Sequence, residues 1–139
     1  MPQQNLKNHT QIVWSYYIYT GIPILILIGA GIHHLIKGKH HFALIILLVG
    51  WILLSMLFRS RSFALKAQDR AIRAEENLRH FVLTGKLFDK RLTIGQIIAL
   101  RFASDEELPS LAERAAGENL SNKQIKEAIR NWRADTYRV

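Results

Sequence analysis

Two long apolar runs fill the first part of the chain, and a helical apolar period organises the rest. Residues 12–36 and 42–58 contain no Lys, Arg, Asp or Glu. At about 1.5 Å per residue the first makes a helix about 37 Å long and the second one about 26 Å long. A hydrocarbon core is about 30 Å thick, so the first run can cross a bilayer with tilt. The second falls slightly short, a gap that snorkelling by Arg59 or local thinning covers. The five residues between the runs, 37–41, are too few for a domain, so the pattern predicts an antiparallel hairpin of two spans over 12–58. A run such as 43–54, with no polar face, is unusual for a helix in a water-soluble core. A signal peptide also fits badly, because the apolar region is too long and no small-x-small cleavage site follows it.

Beyond Phe58 the pattern changes from continuous to periodic. No Gly or Pro occurs between Phe58 and Gly85, which predicts that the second span continues as one helix over 59–84. Ala64, Ala67, Ala71, Ala74, Leu78 and Phe81 recur at alternating steps of three and four, a narrow heptad seam made mostly of alanine. Such a seam can pack on the later helices of the same chain or against a second copy. The other face carries Lys66, Asp69, Arg70, Arg73, Glu76, Asn77 and Arg79. It reads as a solvated surface, with Asp69–Arg73 and Glu75–Arg79 in the favourable i, i+4 order.

Three short helices are predicted over 85–139. Thr93 with Gln96, and Ser121 with Gln124, have the spacing of capping boxes. Between them a helix starting at Ser104 or Asp105 would hold Pro109 in its first turn and bury Leu108, Leu111, Ala112, Ala115 and Ala116, ending at Gly117. The last helix would present Ile125, Ala128, Ile129 and Trp132 on one side. So small a unit buries little surface by itself, so it should dock on the long helix or oligomerise.

Charge fixes the expected orientation. The first acid in the chain is Asp69. Lys37 and Lys39 flank the connecting turn, whereas Lys7, Arg59, Arg61, Lys66, Arg70 and Arg73 lie on the other side. The excess of basic residues places both termini, including segment 1–11, in the cytoplasm. Trp14, Tyr16, Tyr17 and Tyr19 cluster where an interfacial aromatic belt would lie. Of the net charge of +8, +3 lies up to Phe58 and +5 beyond it, so topology accounts for much of a basic excess that would otherwise suggest nucleic acid.

The stretch FALKAQDRAIRAEENLRHFVLTGKL, residues 63–87, and the stretch IKEAIRNWRAD, residues 125–135, resemble a family of small bacterial membrane proteins of unknown function. The resemblance extends over nearly the whole chain. It implies two spans followed by a charged helical tail and a bacterial inner-membrane setting, and it carries over no catalytic residue.

Candidate chemistry is sparse. His33, His34, His40 and His41 bracket the turn and are candidate metal ligands or pH sensors, although no carboxylate or thiolate accompanies them. The chain has no cysteine, which excludes disulfides and thiolate chemistry. Arg59, Arg61 and Lys66 are candidate contacts to anionic headgroups. Lys123, Lys126, Arg130 and Arg133 could line the second helix of a helix-turn-helix, with Glu127 and Asp135 diluting the patch. Phosphate-cradling loops, HExxH and nucleophile elbows are all missing, so no catalysis and no cofactor are expected. No ionisable Asp, Glu, Lys or Arg lies within either span, which argues against coupled transport. Thr20, Ser15 and Ser55 are the few polar candidates for a pore lining. The expectation is therefore an all-α chain: a two-span hairpin, a cytoplasmic helix extending the second span, and a small three-helix domain. Its expected role is that of a structural or accessory membrane protein, with the bilayer and either further copies of itself or a larger complex as partners. An oligomeric channel is the alternative, and a tethered DNA binder or a histidine-based sensor ranks below it.

Overall fold

The computed structural model describes Leu6 and residues 13–135. The described chain is all-helical, with five helices: α1 Trp14–Ile36, α2 His40–Thr84, α3 Ile94–Leu100, α4 Leu108–Gly117 and α5 Asn122–Ala128. The chain divides into two compact units, and the division between Leu65 and Lys66 lies inside α2.

In the first unit, α1 and the early part of α2 form the predicted hairpin. The turn is tighter than the sequence suggests: only 37–39 connect the helices, so His40 and His41 open α2. Gly38 takes a positive φ of 75°, and its neighbour Lys39 donates to the carbonyl of His34 at 3.0 Å, which closes α1. The seam between the helices is built from small residues. A methyl group on Gly31 would come within 2.8 Å of Leu47 Cγ, and one on Gly50 within 2.8 Å of Ile28 Cγ1. Glycine at these two positions lets the backbones approach as closely as they do. Of the three consecutive small residues Gly29, Ala30 and Gly31, only Gly31 packs; the other two face outward. At the opposite end Tyr16 closes the hairpin, its hydroxyl donating to the carbonyl of Leu57 at 2.8 Å and lying 2.8 Å from Ser60 Oγ. Tyr16 therefore serves a helix–helix contact.

In the second unit the core is conventional. Leu92, Ile97, Ala99, Leu100, Ala103, Leu108, Leu111, Ala112, Ala115 and Ile125 make one buried cluster. Both capping boxes form, at Thr93 and Ser121. Gly85, at φ 72°, ends α2 as expected, and its N–H closes on the carbonyl of Phe81 at 2.7 Å. Two boundaries differ from the sequence reading. Helix α4 starts only at Leu108, because the Ser104 carbonyl first accepts from both Glu107 and Leu108 in a separate turn. Helix α5 stops at Ala128, and Ile129 is extended. Trp132 is therefore not on the last helix: it bridges to Ala103 as an isolated antiparallel pair.

Candidate functional site: the two faces of the long helix

Within the second unit, α2 presents two faces of opposite character, and they do not divide as the sequence suggests. Part of the polar face is covered, at Glu76, Asn77 and Arg79, whereas Lys66, Arg70 and Arg73 on the same face are exposed. Glu76 is only 7% exposed, and Ile72 beside it is also buried. Arg79, with its side chain 12% exposed, is the centre of this face. Its Nη1 donates to Glu76 Oε2 at 2.9 Å, its Nε to Asp105 Oδ1 at 2.7 Å, and its Nη2 to the carbonyl of Ala103 at 2.7 Å. One planar guanidinium thus joins α2 to the turn between α3 and α4. Glu76 Oε1 also lies 3.8 Å from Arg133 Nη1. The pairing expected between Glu75 and Arg79 does not form, because Arg79 turns toward Glu76 and Asp105 instead. Among the described residues no ion pair joins Asp69 to Arg73.

The segment after α5 folds onto the same region. Trp132 stacks on Phe102 with centroids 4.7 Å apart and an angle of 19° between the rings. Arg133 N donates to the carbonyl of Phe102 at 2.7 Å. The Glu107 carboxylate accepts from the N–H groups of Arg130 and Asn131 at 3.1 and 3.2 Å. These bonds replace the helical turn that the sequence reading extends through Trp132, and they explain why the helix ends at Ala128. Arg101 lies over the Phe102 ring at 4.6 Å, and its Nε is 3.2 Å from Asp135 Oδ2. Sequence reasoning misses this cluster because the bonds that tie 101–107 to 130–135 join residues more than twenty apart. Ile72, the one large aliphatic on an otherwise polar strip with Glu76 and Arg79, was the available signal that this strip is covered.

Around the connection from α2 to α3, Asn77 Oδ1 accepts from Phe88 N at 3.2 Å, and His80 Nδ1 donates to the carbonyl of Lys86 at 2.7 Å. Further on, the Arg91 guanidinium and backbone N–H hold the Asp89 carboxyl down at about 2. A backbone N–H and the Ser104 hydroxyl likewise keep the Glu106 carboxyl below its ordinary value.

The apolar face is the open one. Ala64, Ala67, Ala71, Ala74, Leu78 and Phe81 are all exposed, Leu78 at 63% and Phe81 at 49%. The seam therefore does not pack on the chain's own later helices, which rules out the first of the two roles the sequence allowed it. Of the candidate headgroup contacts, Arg59 and Lys66 are exposed and Arg61 is half-buried.

The remaining candidates fare differently. His33 and His34 meet edge to face at 6.0 Å, but among the described residues no group of three His, Cys, Asp or Glu side chains could hold a metal ion. The basic row proposed for a helix-turn-helix is dispersed. Arg130 and Arg133 lie beyond the end of α5, Lys126 sits 5.7 Å above the Phe102 ring, and Lys123 is 3.8 Å from Glu127. Thr20 and Ser55, considered as pore-lining residues, donate their hydroxyls to the carbonyls of Tyr16 and Trp51 one turn back.

No curated protein and no solved structure matches the chain. A family of unknown function, DUF6526, matches it over residues 1–139, and the chain belongs to that family.

Proposed function

We propose that this member of the DUF6526 family is a structural or accessory protein of the bacterial inner membrane, anchored by the α1–α2 hairpin. Its α3–α5 domain and both termini lie in the cytoplasm, and it works as an assembly, with copies of itself or within a larger membrane complex. One observation carries the membrane reading. The large apolar side chains of α1 and early α2 point outward: Tyr19 is 79% exposed and Ile36 78%, with Leu25, Ile26, Phe42 and Trp51 also exposed. Two helices long and apolar enough to cross a bilayer, yet hardly buried, do not fit the core of a water-soluble protein, but they do fit lipid. The bias of basic residues toward the side of Arg59, Arg61 and Lys66 supports the orientation. The accessory role is supported by a domain whose buried polar groups are spent on its own packing and by the exposed α2 seam.

The absence of cysteine makes the topology directly testable. In intact cells, Lys37→Cys should react with a membrane-impermeant maleimide, and Lys90→Cys should react only after the membrane is opened. Equal labelling of both in intact cells, or release of the protein by alkaline carbonate, would overturn the reading. Purified oligomer that conducts ions in planar bilayers would replace the accessory role with a channel.

A further inference from the structure

We infer that α2 pairs with α2 of a second copy as a parallel two-stranded coiled coil over residues 64–81, with Arg70 of each copy reaching Glu75 of the other. This deepens, and rests on, the reading of the chain as a membrane protein that assembles with itself. The first ground is the vacancy of the seam. The domain of the second unit takes the strip of α2 that holds Ile72, Glu76 and Arg79. The heptad seam on the other side stays open along its whole length. Ala64, Ala71 and Leu78 take the a positions, and Ala67, Ala74 and Phe81 the d positions. Alanine at four of the six lets two backbones come close, and Leu78 and Phe81, the largest and well exposed, are the anchors.

The second ground is charge, and it selects the occupant. With this register Phe63, Arg70 and Asn77 fall at g, and Gln68, Glu75 and Val82 at e. In a parallel pair each g residue faces the e residue of the next heptad on the partner, five positions later. Arg70 then meets Glu75, and the symmetry of the pair makes the contact twice. An antiparallel pair sets g against g and e against e, which gives Arg70 no acid. Both residues are exposed, and among the described residues neither is in an ion pair. A surface that carries both halves of its own charge pairing fits a second copy better than an unrelated partner. Two copies inserted with one topology also hold their α2 helices parallel before they meet.

The test uses the full chain in lipid nanodiscs and in native membranes. Single cysteines at the seam, Ala67→Cys and Ala74→Cys, should form a disulfide-linked dimer on mild oxidation, whereas Arg73→Cys, off the seam, should not. Arg70→Glu alone and Glu75→Arg alone each replace two attractive contacts by two repulsive ones and should weaken dimerisation roughly tenfold. The double exchange should restore it. A dimer that persists while seam cysteines fail to cross-link, or a double exchange that restores nothing, overturns the coiled coil and leaves self-assembly standing. A chain that is monomeric in the bilayer at every protein-to-lipid ratio overturns both.

Discussion

Leu100 and Leu25 are both helical leucines, yet Leu100 is fully buried and Leu25 is 66% exposed. The contrast holds across the two compact units. From Phe88 to residue 135 most apolar side chains turn inward and make a cluster of the ordinary kind, with polar groups bonded around its edge. In residues 13–65 the inward positions go to Gly31, Ala43 and Gly50 with a few larger residues, and most Leu, Ile and Phe side chains point out. In the proposed setting, with the hairpin in lipid and the other unit in water, the same hydrophobic effect accounts for both arrangements. In water, large residues gain by burial. In lipid they gain little by leaving the acyl chains, so close backbone approach decides what packs.

The sharpest way to break this contrast is to remove equal side chains from both units. Leu100→Ala should cost about 2–5 kcal/mol, the transfer term plus the cavity. It should be read as faster hydrogen exchange across α3, α4 and α5 in the full chain. Leu25→Ala should leave exchange in both units close to wild type. Comparable losses at the two positions would mean that the exposed face of α1 is covered by protein rather than lipid.

Next in size is the polar face of α2. Arg79→Met leaves Glu76 buried with its nearest donor gone, and breaking such a pair typically costs about 3 kcal/mol or more. The loss should appear as loosened exchange at 101–105 and 129–135. Arg73→Met, on an exposed position of the same helix, should change stability by less than about 0.5 kcal/mol. If the two variants behave alike, the Arg79 cluster is a surface feature and does not dock the domain.

What the sequence revealed follows from how local each signal is. The two apolar runs, the stop at Gly85 and both capping boxes are written within a few residues and are legible. The covered part of α2 is not legible in the same way. A strip of Glu76, Asn77 and Arg79 looks solvated until Asp105, the Ala103 carbonyl and Phe88 are known to meet it, and those partners are set by the chain's return path. Trp132 was misplaced for the same reason: helical spacing from Ile125 is a local argument, and the Phe102 stack that overrides it is not. The alanine seam was recognised, but sequence alone could not say whether the chain itself covers it.

A third comparison lies within the hairpin. Gly31→Ala must push Leu47 aside, and overpacking of this kind costs about 1–3 kcal/mol. Nothing lies within 4 Å of the corresponding atom on Gly29, so Gly29→Ala should be neutral or slightly stabilising. Unfolding of the purified chain by titration with a denaturing detergent should separate the two. If Gly29→Ala is as harmful as Gly31→Ala, Gly29 packs against another molecule in the membrane.

The smallest expected effect is acid sensitivity, and it separates the units most cleanly. Residues 13–65 contain no Asp or Glu, so between pH 4 and pH 2 their side chains have nothing to titrate, whereas the second unit carries every acid among the described residues. Asp89 shows the direction. Its carboxyl is held at about 2 by the Arg91 side chain and N–H, below the 3.8 of an unconstrained aspartate. A folded value below the unfolded one means that the charged form is favoured by folding. The contribution is therefore present in full above about pH 4 and is lost as the pH falls toward about 2. Asp89→Asn should be slightly less stable than wild type at pH 6 and indistinguishable from it near pH 2, when thermal unfolding of the second unit is followed by hydrogen exchange at 86–100. The exchange pattern of α1 should not move over the same range. A pH-independent difference at Asp89 would mean that its amide-bonded turn, and not its charge, stabilises the loop. Movement in α1 would mean that acid reaches the hairpin through the other unit.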